Sequence, residues 1–156
     1  LTEQDRARAS RQQKSAWTLA LSGFLPFGAI ALWLIAGPEQ GSSAQLAHRL
    51  LSGYAAVILS FLGGIRWGVA LNRNDETMAR SLALSVLPSL AGFFCLLLPV
   101  PIIHAAFAVC FAAQGAWDNL AAHSGAMPLW FARIRVTLTI LVTLCLIAVF
   151  LFGVRP

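Results

Sequence analysis

"LSFLGGIRWGVAL", residues Leu59 to Leu71, is apolar almost throughout, yet it carries Arg66 among the glycines Gly63, Gly64 and Gly68. The stretch closes a longer apolar run that begins near Leu50. A hydrocarbon core of about 30 Å is crossed by about 20 helical residues, and this run has that length. A permanent charge inside such a run is costly unless it is paired or reaches water, so Arg66 requires either a partner or an escape route.

The rest of the chain repeats the pattern. Of 156 residues 58% are hydrophobic and 11% charged, with a mean hydropathy of +0.75, whereas soluble domains are about a quarter charged. The reading is an all-α integral membrane bundle of five transmembrane helices, with spans at about 16–36, 50–71, 81–98, 101–122 and 136–154. This five-helix domain, 16–156, follows a basic extension over 1–15, where Thr2 and Asp5 have the spacing of a capping box. "PVP", Pro99 to Pro101, predicts a tight hairpin between the third and fourth spans. Pro26 and Pro88 fall inside the first and third and predict kinks supported by neighbouring helices. The first span is expected to stay as an anchor rather than be removed as a leader.

The net charge of +5 does not form a nucleic-acid surface, because the basic residues flank apolar runs. They act as topology signals. Arg6, Arg8, Arg11, Lys14, Arg73, Arg80, Arg133 and Arg135 fall on one side, against Arg49 and Arg155 on the other. This asymmetry predicts a cytoplasmic N-terminus, or a matrix one in a mitochondrion, and a C-terminus outside.

With that orientation Arg66 lies about 7 Å below the inner end of its span, and Asp118 about 6 Å below the same end of the fourth, at 1.5 Å per residue. Equal depth and opposite sign predict an intramembrane ion pair between them. The alternative is that Arg66 extends alone to the headgroups while Asp118 meets interfacial water. Of the inner-interface aromatics Trp17, Trp67, Trp117 and Trp130, Trp117 is the better placed for a cation–π contact with Arg66, since Trp67 is its chain neighbour and points elsewhere. Ser52, Ala56, Ser60, Gly64 and Gly68 recur every four residues, a helix-packing stripe that serves an internal helix or another subunit equally well.

His104, Gln114 and Asp118 share one face of the fourth span. Three uses are open for it: a proton or ion path, a headgroup or quinone contact, or a hydrogen-bonded seam between helices. Pairing of His104 with His48 for haem or pigment is disfavoured, because His48 falls outside its span rather than at matching depth; His123 belongs to the inner loop. Cys95, Cys110 and Cys145 lie in apolar segments without ligand spacing and read as small core residues. No metal site and no cofactor are expected, although lipid, quinone or pigment at the surface is compatible with the sequence. There is no HExxH, GxSxG or phosphate-binding loop, and no catalytic residue is assigned.

"LSGFLPFGAIALW", "YAAVILSFLGGIRWGVAL" and "MPLWFARIRVTLT" together resemble an uncharacterised proteobacterial and mitochondrial family of polytopic membrane proteins, a domain of unknown function of the transmembrane protein 69 type. Its central pattern stands here at Ser60, Phe61, Leu62, Gly63, Arg66, Trp67 and Gly68, and a later one at Pro128, Trp130, Phe131 and Arg135. The resemblance covers nearly the whole chain and implies an energy-coupling inner membrane, bacterial or mitochondrial. It implies no activity. The expectation is a non-catalytic accessory or structural subunit, or an assembly factor, of a respiratory or photosynthetic complex. Its partners would be lipids and other membrane subunits or further copies of itself. The alternative is a small oligomeric transporter, or a carrier of a lipid or quinone, working through His104, Gln114 and Asp118.

Overall fold

The computed structural model of the chain describes residues 3–37, 41–72, 75–123 and 128–153, apart from the side chains at 6, 7 and 9. Thr2, Arg73, Val154, Arg155 and the side chain of Arg6 therefore lie outside the described residues. The described residues form helices α1 (Glu3–Ala36), α2 (Ser42–Leu71), α3 (Met78–Ser85), α4 (Leu87–Cys95), α5 (Ile102–His123) and α6 (Leu129–Phe152), with no strand among them. Four spans are long and apolar enough to cross a membrane: α1, α2, Met78–Cys95 and α6. The expected fourth span is helical as α5, but its polar residues keep it out of that set.

Two of the helices extend beyond the apolar runs read from hydropathy. α2 starts at Ser42 rather than near 50, and α6 at Leu129 rather than 136, because polar residues continue a helix whose backbone bonds do not depend on side-chain polarity. Gly41 opens α2 with φ of 130°, a conformation only glycine adopts without strain. α1 is continuous through Pro26 and rises about 51 Å over its length at 1.5 Å per residue, so its charged first turns extend past a hydrocarbon core. The third span, by contrast, is broken at Val86, since Pro88 has no N–H to give the carbonyl of Leu84. The chain re-forms as α4 through bonds from the amides of Ser89 and Leu90 to the carbonyl of Val86.

α1 packs on α2 and α6, α2 on α3, α4 and α5, α4 on α5, and α5 most extensively on α6. The surface is inverted relative to a soluble protein. Leu19 is 73% exposed and Val109 69%, while Asp118 is 4% and Arg135 6%, an arrangement favourable only where apolar chains are the solvent. This is a membrane protein. Its interior has three layers: a histidine pair where α2 and α5 begin, an apolar layer of Phe27, Phe107, Phe111 and Leu146, and a charged cluster where α2 and α5 end. In the middle layer Phe27 meets Phe111 edge-on at 5.8 Å and Tyr54 at 5.0 Å between ring centroids, and the Tyr54 hydroxyl donates to the carbonyl of Gly23 at 2.8 Å.

The small-residue stripe of α2 is divided between two environments. Ser52 is buried and its hydroxyl donates to the carbonyl of His48. Ala56 packs against Gly92 of α4, where a β-carbon on Gly92 would lie 3.5 Å from the Ala56 backbone. Ser60 is half-buried, and Gly64 and Gly68 are exposed with open space beside them. The tightest approach to α2 is instead at Gly63, outside the stripe: a β-carbon there would stand 2.6 Å from the carbonyl oxygen of Ser85, at the break in the third span.

Candidate functional site

The charged cluster is the densest set of buried polar groups among the described residues. Asp118, on α5, is the only acidic residue in the apolar segments. Helical spacing puts Gln114 one turn before it, and Gln114 Nε2 donates to Asp118 Oδ1 at 3.0 Å. From α2, Arg66 brings Nη1 to 3.7 Å from the same oxygen. Its guanidinium carbon lies 3.8 Å from the centroid of the Trp117 ring, a cation–π contact. Trp67 is exposed, and Trp17 and Trp130 are half-buried.

The strongest partner of Asp118 is a residue that sequence reasoning assigned to a loop. Arg135 Nε donates to Asp118 Oδ2 at 2.8 Å, and both groups are buried. Counting Arg135 as a topology charge outside a span was therefore incorrect: α6 begins six residues earlier and carries it into the bundle. A signal was present in the sequence. Ala132, Ile134, Arg135, Val142, Leu146 and Val149 are the buried positions of α6, and all but Ile134 fall, with the half-buried Thr139, on alternating spacings of three and four, which puts Arg135 in a core register.

Two guanidinium groups, those of Arg66 and Arg135, face the carboxylate of Asp118. Asp118 accepts hydrogen bonds from Gln114 and Arg135 and has Arg66 at ion-pair distance, while Arg135 spends its Nε–H on it and its Nη2 has no hydrogen-bond partner. The hydroxyls of Thr139 and Thr143, one and two turns further along α6, are buried without partners as well.

His104, the third member of the polar face read on α5, lies elsewhere. It is fully buried at the opposite end, where its Nε2 is 2.8 Å from Nδ1 of His48. The expectation that these histidines do not match in depth is overturned, because α2 extends back to Ser42 and includes His48 in the bundle. His104 Nδ1 has no partner. Phe107 and Phe111 stand between His104 and Gln114 and are themselves buried, so the polar face is interrupted by an apolar layer. His123 is exposed at the end of α5.

No group of three or more His, Cys, Asp or Glu side chains that could hold a metal ion occurs among the described residues. Cys95 and Cys110 bring their sulfurs to 3.7 Å across the α4–α5 contact as free thiols, and Cys145 reaches the carbonyl of Phe27.

Comparisons with known proteins give the chain a family. The family model described as "Protein of unknown function (DUF3429)" matches residues 12–151, from the second half of the α1 extension to the last turn of α6. The chain belongs to this family. As a DUF3429 protein it is also similar to transmembrane protein 69 of Xenopus tropicalis, with 34% identity over 140 residues, which cover 86% of this chain and 53% of that protein. The chain thus spans about half the length of that curated relative. No solved structure matches it. Every residue of the charged cluster falls inside the segment the DUF3429 model matches.

Proposed function

We propose that this protein is a non-catalytic subunit or assembly factor of a larger complex in an energy-coupling membrane, the bacterial cytoplasmic membrane or the mitochondrial inner membrane. Its N-terminal extension would lie on the cytoplasmic or matrix side, as the arginine asymmetry favours. The observation that carries the reading is the open side of α2. A β-carbon added at Gly64 or Gly68 would meet nothing within 4 Å, and Phe61 beside them is 63% exposed. A helix from another protein can approach such a face closely, gaining dispersion contacts that lipid tails do not match. Inside the bundle the ionisable groups meet one another instead of lining a path, which favours a scaffold over a conductor.

Blue-native electrophoresis with mass spectrometry on gently solubilised membranes tests the reading. Comigration with a larger complex in a defined ratio is expected, and a variant carrying Gly64→Leu and Gly68→Leu should leave the complex while remaining folded. A particle containing this chain alone, unaffected by those substitutions, would end it.

A further inference from the structure

α3 and α4 are two halves of one span, yet they do not have the same neighbours. α4 packs on both α2 and α5, whereas α3 packs on α2 and has no backbone contact with α5 among the described residues. The difference begins at Val86, where Pro88 interrupts the helix. From that break the span leaves α5, and a pocket of about 530 Å3 stands open between α2, α3 and α5. Small-molecule sites have volumes of about 300–1,000 Å3, and this one falls among them.

The charge of the pocket comes from α3. Arg80 and Ser81 stand in the first turn of that helix and line the pocket. The Arg80 side chain is exposed and makes no ion pair or hydrogen bond among the described residues. Arg66 forms the deeper wall from α2, but it is already engaged by Asp118 and stacked on Trp117, so it shapes the pocket rather than supplying its free charge. The carboxylates nearest in sequence, Asp75 and Glu76, do not line the pocket, and Asp75 Oδ1 accepts from the amide and hydroxyl of Thr77. Location then selects the anion. The third span, Met78–Cys95, has 18 residues, about 27 Å at 1.5 Å per residue, against a hydrocarbon core of about 30 Å. Its first turn therefore lies at the headgroup layer, where phospholipids present their phosphates, and basic pockets between membrane helices suit such heads. Leu84, one turn further along α3, and Leu120 on α5, 70% exposed, complete the wall in apolar form.

We propose that the pocket between α2, α3 and α5 holds one anionic phospholipid. Its phosphate pairs with the Arg80 guanidinium, whose planar fork fits phosphate oxygens, and accepts a hydrogen bond from the Ser81 hydroxyl. Its acyl chains lie against Leu84 and Leu120. The lipid fills the space that the break in the third span opens, and it links α3 to α5, whose backbones do not pack on each other. This site is independent of whether the protein has a partner complex.

The test uses the full chain purified in a mild neutral detergent and titrated with dioleoyl phosphatidylglycerol. Phosphatidylcholine and diolein with the same chains, and glycerol 3-phosphate without chains, serve as comparisons. Native mass spectrometry counts retained lipids and thermal melts follow stabilisation. Saturable retention near one phosphatidylglycerol per chain is expected, about 10-fold tighter than phosphatidylcholine, with no stabilisation by diolein or glycerol 3-phosphate. Arg80→Gln should weaken retention about 10-fold and leave the lipid-free melt unchanged, because Arg80 has no partner to lose. Ser81→Ala should weaken it several-fold. Arg133, exposed near the start of α6 and outside the pocket, is the control, and Arg133→Gln should cost under about 3-fold. Equal losses for the Arg80 and Arg133 variants would show a diffuse attraction to the basic end of the bundle. Equal retention of phosphatidylcholine would show chain packing without an anionic site, and equal stabilisation by glycerol 3-phosphate would show a soluble phosphate ligand. No saturable retention would show no lipid site. Each of these results overturns the proposal.

Discussion

Arg135 and Asp118, seventeen residues apart in sequence, meet through a 2.8 Å hydrogen bond between Nε and Oδ2 in a part of the bundle from which solvent is excluded. Asp118 is held by α5, Arg135 by α6 and the second arginine, Arg66, by α2. One carboxylate therefore joins three helices.

Asp118→Ala removes the carboxylate that both guanidinium groups face. Breaking a buried pair by removing one partner costs about 3–5 kcal/mol, so this variant should accumulate poorly and melt far below the native protein in detergent. Arg135→Ala should be nearly as damaging. Arg66→Ala should cost less, because Arg66 is longer-range at 3.7 Å and more exposed. Equal effects of the two arginine variants would contradict this ordering. A charge exchange of Arg66 and Asp118 should fail to restore stability, since Arg135 would then face a second cation.

The stacking of Arg66 on Trp117 can be measured separately. Trp117→Leu should lower stability by about 0.5–2 kcal/mol beyond the change in buried area, and Trp117→Phe should retain part of it. In an Arg66→Met background the difference between Phe and Leu should shrink, and thermal melts of the four variants supply the comparison.

Adjacent glycines on α2 should respond in opposite directions. Gly63 lies under the Ser85 carbonyl, so Gly63→Ala overpacks a backbone contact, with a loss of about 1–3 kcal/mol. Gly64 has open space, and Gly64→Ala should be neutral or stabilising by up to about 1 kcal/mol in the isolated protein. Melts of the purified variants check both, and a larger loss for Gly64 would mean that its open face is covered within the monomer.

His48 and His104 form a buried pair, so replacing one leaves the other with an unmet polar atom. His104→Leu should cost about 1–3 kcal/mol through that orphaned group, and combining it with His48→Leu should recover part of the loss. A double-mutant cycle on thermal stability gives the coupling. Additive losses would show that the rings do not interact.

The sulfurs of Cys95 and Cys110 lie 3.7 Å apart as free thiols, and a disulfide needs about 2.05 Å. Mild oxidation should therefore join α4 to α5 within one chain. Peptide mapping of the non-reduced digest identifies the link, and pairing of either thiol with Cys145 instead would contradict the packing of α4 on α5.

What the sequence revealed and concealed follows from physical cause. Arg66 and Asp118 were legible because opposite charges inside apolar runs can be compared by depth, and Trp117 because neighbouring residues point apart on a helix. The break at Pro88 was legible as a kink because proline always removes a donor. Arg135 and His48 were lost for one shared reason: each stands where a hydropathy window falls, while the helix and its buried face continue. The periodicity of α6 contained the correction, and for His48 only the helix start at Ser42 supplied it. Gly63 stood out in the sequence only as one of the glycines around Arg66, because the break that presses Ser85 onto it depends on how two helices meet, which no single-helix pattern encodes.

The stack of Phe27, Phe107 and Phe111 between the histidine pair and the arginine cluster has an electrical consequence. Protons move along chains of water and titratable groups, and along this face of α5 aromatic rings that offer neither stand in the way. On α5 the two polar ends are thus kept apart, with Phe107 and Phe111 buried between His104 and Gln114.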